Sequence, residues 1–142
     1  MRKAVVSVAA IAAGAALPLA VVAFRGAEEP APRISLQEFQ GLYSSGAVVL
    51  LDVRDPKAYA AGHVRGAVSI PLGDLGRRLR DLRAVSQPIV TYCRCPDETT
   101  SLTAARRLAA QGIDGVRALE GGYDAWVAAG GSVDQSPGDD AP

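Results

Sequence analysis

Short apolar runs rich in β-branched residues alternate along this chain with segments of helical periodicity. The run at 47–53 (AVVLLDV) is typical of a strand that is buried on both faces of a sheet. Strands that alternate with helices form a mainly parallel sheet with helices on both faces, so the pattern predicts an α/β fold. The predicted strands are 47–53, 68–70, 89–92 and 116–119, and the predicted helices are 35–44, 56–61, 72–82, 101–111 and 123–129.

The first residues form a separate hydrophobic segment. Arg2 and Lys3 precede an uncharged run over 4–24, which as a helix would reach roughly 31 Å, close to the hydrocarbon thickness of a bilayer. We predict that 1–27 is a signal peptide or an N-terminal membrane anchor, and that the protein is exported to the periplasm or another extracytoplasmic space. Both outcomes stay open: cleavage releases a soluble protein, whereas an uncleaved helix over 4–24 tethers it to the inner membrane.

Composition indicates the ends of the folded domain and gives no support for nucleic acid as a partner. The segment 28–32 (EEPAP) is charged and proline-rich, which is typical of a linker, and 135–142 has the polar composition of a flexible tail. The folded domain is therefore predicted at 33–134. The chain has 15 basic and 15 acidic residues, so its net charge gives no reason to expect nucleic acid as a partner.

A cysteine follows the predicted strand 89–92 and is the candidate for chemistry. Parallel sheets bind ligands outside the carboxyl ends of their strands, which is where Cys93 is expected. The helix that follows the loop would direct its positive end towards this thiol, and such an environment favours the nucleophilic thiolate and binds anions. The alternative is that Cys93 is a small buried hydrophobic residue.

Three separated motifs resemble those of one family. LDVR at 51–54 and YAAGHVRGA at 59–67 closely resemble the N-terminal signature of rhodanese domains, and GGYDAW at 121–126 resembles their C-terminal signature. The resemblance implies an open sheet of about five mainly parallel strands, here preceded by the N-terminal hydrophobic helix. It also implies a sulfurtransferase whose cysteine takes a sulfane sulfur from a donor. Cys93 matches the catalytic cysteine by its position after the strand. Asp52, Arg54 and His63 match supporting positions, and Arg54 and His63 are expected to brace the active loop through hydrogen bonds.

The loop after Cys93 departs from the family pattern. It is about two residues longer, and Asp97 and Glu98 bring negative charge where each unit charge opposes an anionic donor by on the order of 1–3 kcal/mol. We expect this opposition unless both carboxylates point outward, and we expect Arg94 to offset one of them. The predicted active-site loop comprises Arg94, Cys95, Pro96, Asp97, Glu98, Thr99, Thr100 and Ser101.

Two other readings of this loop stay open. Cys95 could pair with Cys93 or resolve a persulfide on it, which would make the domain an exported thiol-redox module, and a disulfide over so short a span is usually strained and easily reduced. The acidic loop also fits a non-catalytic binding module that keeps the fold. The longer loop resembles that of related phosphatases, but the absence of an arginine at 98–101 argues against phosphoryl transfer.

The predicted partners follow from these hypotheses. They are a small sulfur donor, a thiol or cyanide as acceptor, a thiol protein if exchange is the function, and a membrane if the leader stays uncleaved. No cofactor is predicted. A metal site is not predicted either, since two thiols do not complete a tetrahedral set.

Overall fold

The computed structural model describes residues 32–136. Seven strands and five α-helices follow one another along this part of the chain, with a turn of 3₁₀ helix at Leu72–Asp74. The strands are β1 Arg33–Ile34, β2 Val49–Asp52, β3 His63–Val64, β4 Val68–Ser69, β5 Ile89–Tyr92, β6 Arg117–Leu119 and β7 Val133–Asp134. The helices are α1 Leu36–Ser44, α2 Pro56–Ala61, α3 Leu75–Arg83, α4 Thr99–Ala110 and α5 Gly122–Ala128.

Five of the strands form one sheet in the order β1-β6-β5-β2-β4, and all neighbouring pairs are parallel. The predicted α/β class with a five-stranded, mainly parallel sheet is therefore confirmed. Strand β1 was missed from the sequence because its two residues are too few to show a periodic pattern. The antiparallel pair β3–β7 was missed for the same reason.

Several element boundaries differ by one to three residues from the predicted ones, and two of these differences have identifiable local reasons. The strand predicted at 47–53 begins two residues later, at Val49, because Gly46 and Ala47 form the turn that follows α1. There the N–H of Ala47 donates to the carbonyl of Leu42 and Gly46 takes a φ of 68°, as in a glycine-terminated helix end. The helix predicted from 72 starts as a 3₁₀ turn, with the N–H of Asp74 donating to the carbonyl of Pro71, and becomes α-helical only at Leu75.

Each face of the sheet carries its own apolar core. One core joins sheet residues to α3 and α4, and the other joins them to α1 and α5. Adjacent strand residues face opposite cores, as in Leu50 and Leu51, which confirms that β2 is buried on both faces. The α3–α4 core includes Leu51, Ile70, Leu75, Leu82, Ile89, Cys93 and Leu108, and the α1–α5 core includes Ile34, Phe39, Leu50, Val90, Tyr92 and Trp126.

The strand order places a ligand-binding edge at the ends of β2 and β5. These two strands are neighbours, and the chain leaves β2 for β4 on one side and leaves β5 for β6 on the other. Such a reversal opens a crevice at the carboxyl ends of the two strands. Asp52 and Tyr92 are register partners there, so the segments that follow them, including Arg54 and Cys93, start side by side.

The predicted leader and hydrophobic helix at 1–27 lie outside the described residues. Within residues 32–136, no helix is long and apolar enough to cross a bilayer.

The α3–α4 core predicts the effect of one truncation. Leu108 is fully buried, so Leu108→Ala should lower the free energy of unfolding by about 2–5 kcal/mol through lost burial and a residual cavity. Val127 lies on α5 with 45% of its surface exposed, so Val127→Ala should change that free energy by no more than about 0.5 kcal/mol. Urea unfolding of both variants measures the difference, and equal costs would contradict the assigned core.

Candidate active site

Cys93 directly follows β5 and is joined to Cys95 by a disulfide bond. The Cα atoms of the two cysteines lie 5.8 Å apart, within the usual range for disulfides. Only 2% of the Cys93 surface is exposed, and its Sγ lies 3.5 Å from the hydroxyl oxygen of the buried Ser101. Pairing is thus the state of the two thiols in this structure, and Cys93 must be reduced before it can act as a nucleophile.

Both cysteines line a pocket of about 460 Å³ at the carboxyl ends of β2 and β5. Its charged lining residues are Arg54, Arg94 and Asp55, and Asp55 is engaged in capping α2 by accepting the N–H of Ala58. Both guanidiniums are paired with carboxylates outside the lining, Arg54 with Asp52 and Arg94 with Asp124. Their remaining N–H groups are the cationic donors that a small anion would meet in this pocket. Its remaining lining residues are Val53, Ala58, Ala61, Gly62, Thr100 and Tyr123.

The two acidic residues of the loop are directed away from this pocket. The carboxylate of Asp97 accepts the N–H of Thr99 at 3.3 Å, and its hydrogen bonds to Thr99 hold the pKa of Asp97 below its ordinary value. The carboxylate of Glu98 accepts the N–H of Gly121 at 2.7 Å and pairs with Arg33 at 2.9 Å. Neither acid lines the pocket, so the expected opposition to an anionic donor is largely removed.

Arg94 does not offset either of these acids, so that prediction is wrong. Its guanidinium pairs with Asp124 of α5 at 2.8 Å, and both side chains are mostly exposed. Arg33, which precedes α1 by only a few residues, neutralises Glu98 instead. Their partners are 30 and 65 positions away, and nothing in the local sequence signals either pairing.

The first turn of α4 lies beside Cys93, where Ser101 contacts its sulfur and Thr100 lines the pocket. The first N–H groups of any α-helix have no intrahelical partner, and here Asp97 satisfies that of Thr99. The Ser101 hydroxyl donates to the carbonyl of Glu98 at 3.0 Å, which fixes this turn. An anion beside Cys93 would thus meet the positive end of a twelve-residue helix.

The buried carboxylate of Asp52 connects the carboxyl ends of β2 and β5 through hydrogen bonds. Asp52 is fully buried and accepts hydrogen bonds from the side chain of Arg54 and, at 2.6 Å, from the hydroxyl of Tyr92. That hydroxyl in turn accepts the N–H of Val64, which connects β3 to the network. Burial and the neighbouring Asp52 carboxylate raise the pKa of Tyr92, so the phenol stays protonated as a donor.

Arg54 is hydrogen-bonded to Asp52 and also lines the pocket. One of its terminal nitrogens donates to the carbonyl of Gly62 at 2.7 Å, and its guanidinium lies 4.6 Å from the ring centre of Tyr123. Burial lowers the pKa of Arg54, but the hydrogen bond and charge of Asp52 outweigh it and raise that pKa above its ordinary value. Arg54 therefore stays protonated beside the pocket, with its charge paired to Asp52. Tyr123, which was not among the predicted site residues, lines the same pocket.

His63 does not brace the loop after Cys93, so the predicted role is corrected. Its ring Nδ1 bonds to the carbonyl of Tyr59 at 2.8 Å, and the two rings stack at 3.7 Å. These contacts hold α2 against β3. His63 thus acts on the opposite wall, where Gly62 lines the pocket.

Gly122 sets the distance between α5 and Cys93. The N–H of Tyr123 donates to the carbonyl of Cys93 at 2.9 Å, and a Cβ on Gly122 would overlap that same carbonyl oxygen. Gly122 also has a φ of 54°, which L side chains rarely adopt. Gly122 is therefore needed for the close approach of the α5 backbone to Cys93.

This close approach gives a second prediction. Gly122→Ala should cost about 2–4 kcal/mol of unfolding free energy, from the unfavourable φ together with the overlap at Cys93. Gly46 is the matched control, since it has a φ of 68° with nothing within 4 Å of the added Cβ, so Gly46→Ala should cost about 1–2 kcal/mol. Urea unfolding compares the two, and a Gly46→Ala variant as unstable as Gly122→Ala would contradict the assignment.

Several proteins with sulfurtransferase names resemble this chain. Thiosulfate sulfurtransferase GlpE of Pseudomonas entomophila (strain L48) is 35% identical over 94 residues, which cover 66% of this chain and 83% of the relative. GlpE of Pseudoalteromonas translucida (strain TAC 125) is 32% identical over 96 residues, covering 68% and 89%. The human single-domain sulfurtransferase TSTD1 has a TM-score of 0.60 at 30% identity, covering 69% of this chain and 96% of its own.

A further solved structure and a family model match the same part of the chain. The structure of the BH2092 protein from Bacillus halodurans has a TM-score of 0.65 at 27% identity, over 79% of this chain and 82% of that one. The family described as rhodanese-like domain matches residues 35–129, which is more than half of the chain and contains the whole pocket lining. The chain therefore belongs to the rhodanese-like domain family.

Proposed function

We propose that this protein is a sulfurtransferase, or sulfane-sulfur carrier, in which reduced Cys93 forms a persulfide. The observation that carries the proposal is that Cys93 lines a pocket together with two arginines and with Thr100 of the first turn of α4. The relatives named sulfurtransferases support the same reaction class. Because Asp97 and Glu98 face away from the pocket, thiosulfate is a suitable donor.

The proposed reaction has two displacements. The thiolate of Cys93 attacks the sulfane sulfur of thiosulfate, the donor S–S bond breaks, and sulfite leaves with the bonding electron pair. Arg54 and Arg94 hold the sulfonate group, and the N-terminus of α4 stabilises the anionic sulfur. Cyanide or a thiol then attacks the outer sulfur and carries it away, which restores the Cys93 thiolate.

The observed disulfide favours a second candidate function. A bond between Cys93 and the half-buried Cys95 is what an exported thiol-redox module would use for exchange with a thiol-protein partner. This candidate predicts little turnover of small donors and a mixed disulfide with the partner, trapped by Cys95→Ser. A non-catalytic binding module has less support, because the acidic residues that suggested it do not enter the pocket.

We also propose that the domain is exported. Support comes from the sequence, in which residues 1–27 have the pattern of a signal peptide or anchor, 28–32 that of a linker, and 135–142 that of a tail around a domain at 33–134. Intact mass of the protein recovered from soluble extracytoplasmic and membrane fractions tests this. Loss of the leader indicates release and its retention indicates a tether, whereas uncleaved protein found in the cytoplasm would contradict export.

The central prediction concerns sulfite release by prereduced protein. After removal of the reductant without air, the protein should release one equivalent of sulfite from thiosulfate, and Cys93→Ser should release none because it lacks the proposed nucleophile. The oxidised protein should be equally inactive until it is reduced again, since its Cys93 sulfur is held in the disulfide.

The Val127→Ala variant serves as the control, because this exposed side chain lies outside the pocket lining and should leave sulfite release unchanged. Mercaptopyruvate and polysulfide are tested beside thiosulfate, each by the product it leaves after losing one sulfur. If the reduced wild-type protein takes sulfur from none of these donors, or if Cys93→Ser does so equally well, the proposal fails.

A further inference from the structure

Cys95 occupies a position from which its sulfur reaches the sulfur of Cys93. Both residues line the same pocket, their Cα atoms are 5.8 Å apart, and their Sγ atoms are bonded. In the reduced protein the two thiols are therefore close enough to react. The family resemblance assigns the catalytic role to Cys93, from its position after β5, and assigns no role to Cys95.

The surrounding loop holds Cys95 in this place. The N–H of Glu98 donates to the carbonyl of Cys95 at 3.1 Å, which closes a turn. Glu98 is itself fixed by Gly121 and Arg33, and the side chain of Cys95 packs against the α3–α4 core. Because the loop is anchored at both ends, the reaction between the two sulfurs is intramolecular and oriented, which favours it strongly over attack by a thiol from solution.

We propose that Cys95 is a resolving cysteine, which converts the sulfane sulfur carried by Cys93 into hydrosulfide. The proposal rests on the proposed persulfide of Cys93. Such a persulfide has an inner sulfur, which is the Cys93 Sγ, and an outer sulfur that came from the donor. The structure joins the Cys95 Sγ to this inner position. Attack there displaces the outer sulfur and leaves the disulfide that is observed.

The step balances without an external oxidant. The Cys95 sulfur forms a bond to the Cys93 sulfur, the bond between inner and outer sulfur breaks, and the outer sulfur leaves with the electron pair and the Cys95 proton as hydrosulfide. The sulfane sulfur is thereby reduced, and the two cysteines are oxidised to the disulfide. A dithiol then reduces the disulfide and resets the protein. Overall, thiosulfate and a dithiol yield sulfite, hydrogen sulfide and the oxidised dithiol.

A resolving Cys95 would change how the domain releases the sulfur that it has accepted. A carrier with a single cysteine keeps its persulfide until an acceptor arrives, whereas this domain would discharge the sulfur by itself and then need a reductant. The class of reaction that must accompany it is thiol–disulfide exchange with a dithiol donor. This also gives the disulfide in the structure a place in the cycle, as the state that follows sulfur release.

A single-turnover experiment tests this role for Cys95. Prereduced protein, freed of reductant without air, is mixed with one equivalent of thiosulfate, and sulfite, sulfide, free thiols and intact mass are followed. The wild-type protein should release both sulfite and sulfide and end two hydrogen atoms lighter than the reduced form. Cys95→Ser should release sulfite but retain the mass of one sulfur atom, and its sulfide release should be at least about tenfold slower.

The outcomes separate this inference from the function on which it rests. If the wild-type protein releases sulfite but keeps the extra sulfur, or if Cys95→Ser yields sulfide as fast as wild type, the resolving role is overturned and the sulfurtransferase proposal stands. If wild type releases no sulfite, the sulfurtransferase proposal itself fails. A sulfide rate that rises with protein concentration would also overturn the inference, because it would show attack between molecules.

Discussion

The parallel pairing of β2 with β5 is the constraint on which the site depends. It places Asp52 opposite Tyr92, so the buried carboxylate can accept hydrogen bonds from the Tyr92 hydroxyl and from Arg54. The same register starts the Cys93 loop beside the segment that carries Arg54. A fully buried carboxylate lowers the stability of the fold unless it is paired and hydrogen-bonded. The partners of Asp52 are Tyr92, at the end of β5, and Arg54, which lines the pocket. The pairing of β2 with β5 therefore both stabilises the carboxyl ends of these strands and positions the Arg54 guanidinium.

The loop after Cys93 satisfies its negative charges locally, and this determines what the pocket can bind. Asp97 is occupied by the first turn of α4, and Glu98 by Gly121 and Arg33. Their side chains strengthen the loop and stay out of the pocket, whose lining includes Arg54 and Arg94. A rigid loop also holds Cys95 near Cys93. Asp97 and Glu98, which were expected to oppose an anionic donor, therefore stabilise the loop that holds the two sulfurs close together.

Much of the fold could be predicted from the sequence because its signals are local. The helix predicted at 35–44 is α1, whose N-terminus is capped by the Ser35 side chain accepting the N–H of Glu38, and the apolar run at 47–53 indicated a strand of a parallel sheet. The position of Cys93 after β5 followed from the same pattern. Pairings between distant residues could not be predicted this way, since the contacts of Glu98 with Arg33 and of Arg94 with Asp124 depend on which strands and helices become neighbours. The bond from His63 to Tyr59 was missed because the ring turns back onto α2, which the spacing does not reveal.

The central claim is that reduced Cys93 can be reached from a pocket that attracts anions. Its most direct measurement compares the alkylation of Cys93 by anionic iodoacetate and neutral iodoacetamide in the reduced Cys95→Ser variant, with and without sulfite as a competing anion. The account predicts that iodoacetate gains in rate relative to iodoacetamide, compared with a free cysteine thiol, and that sulfite slows both reactions in a saturable way. An unchanged rate ratio together with no protection by sulfite, or a Cys93 that neither reagent modifies in the folded protein, would contradict it.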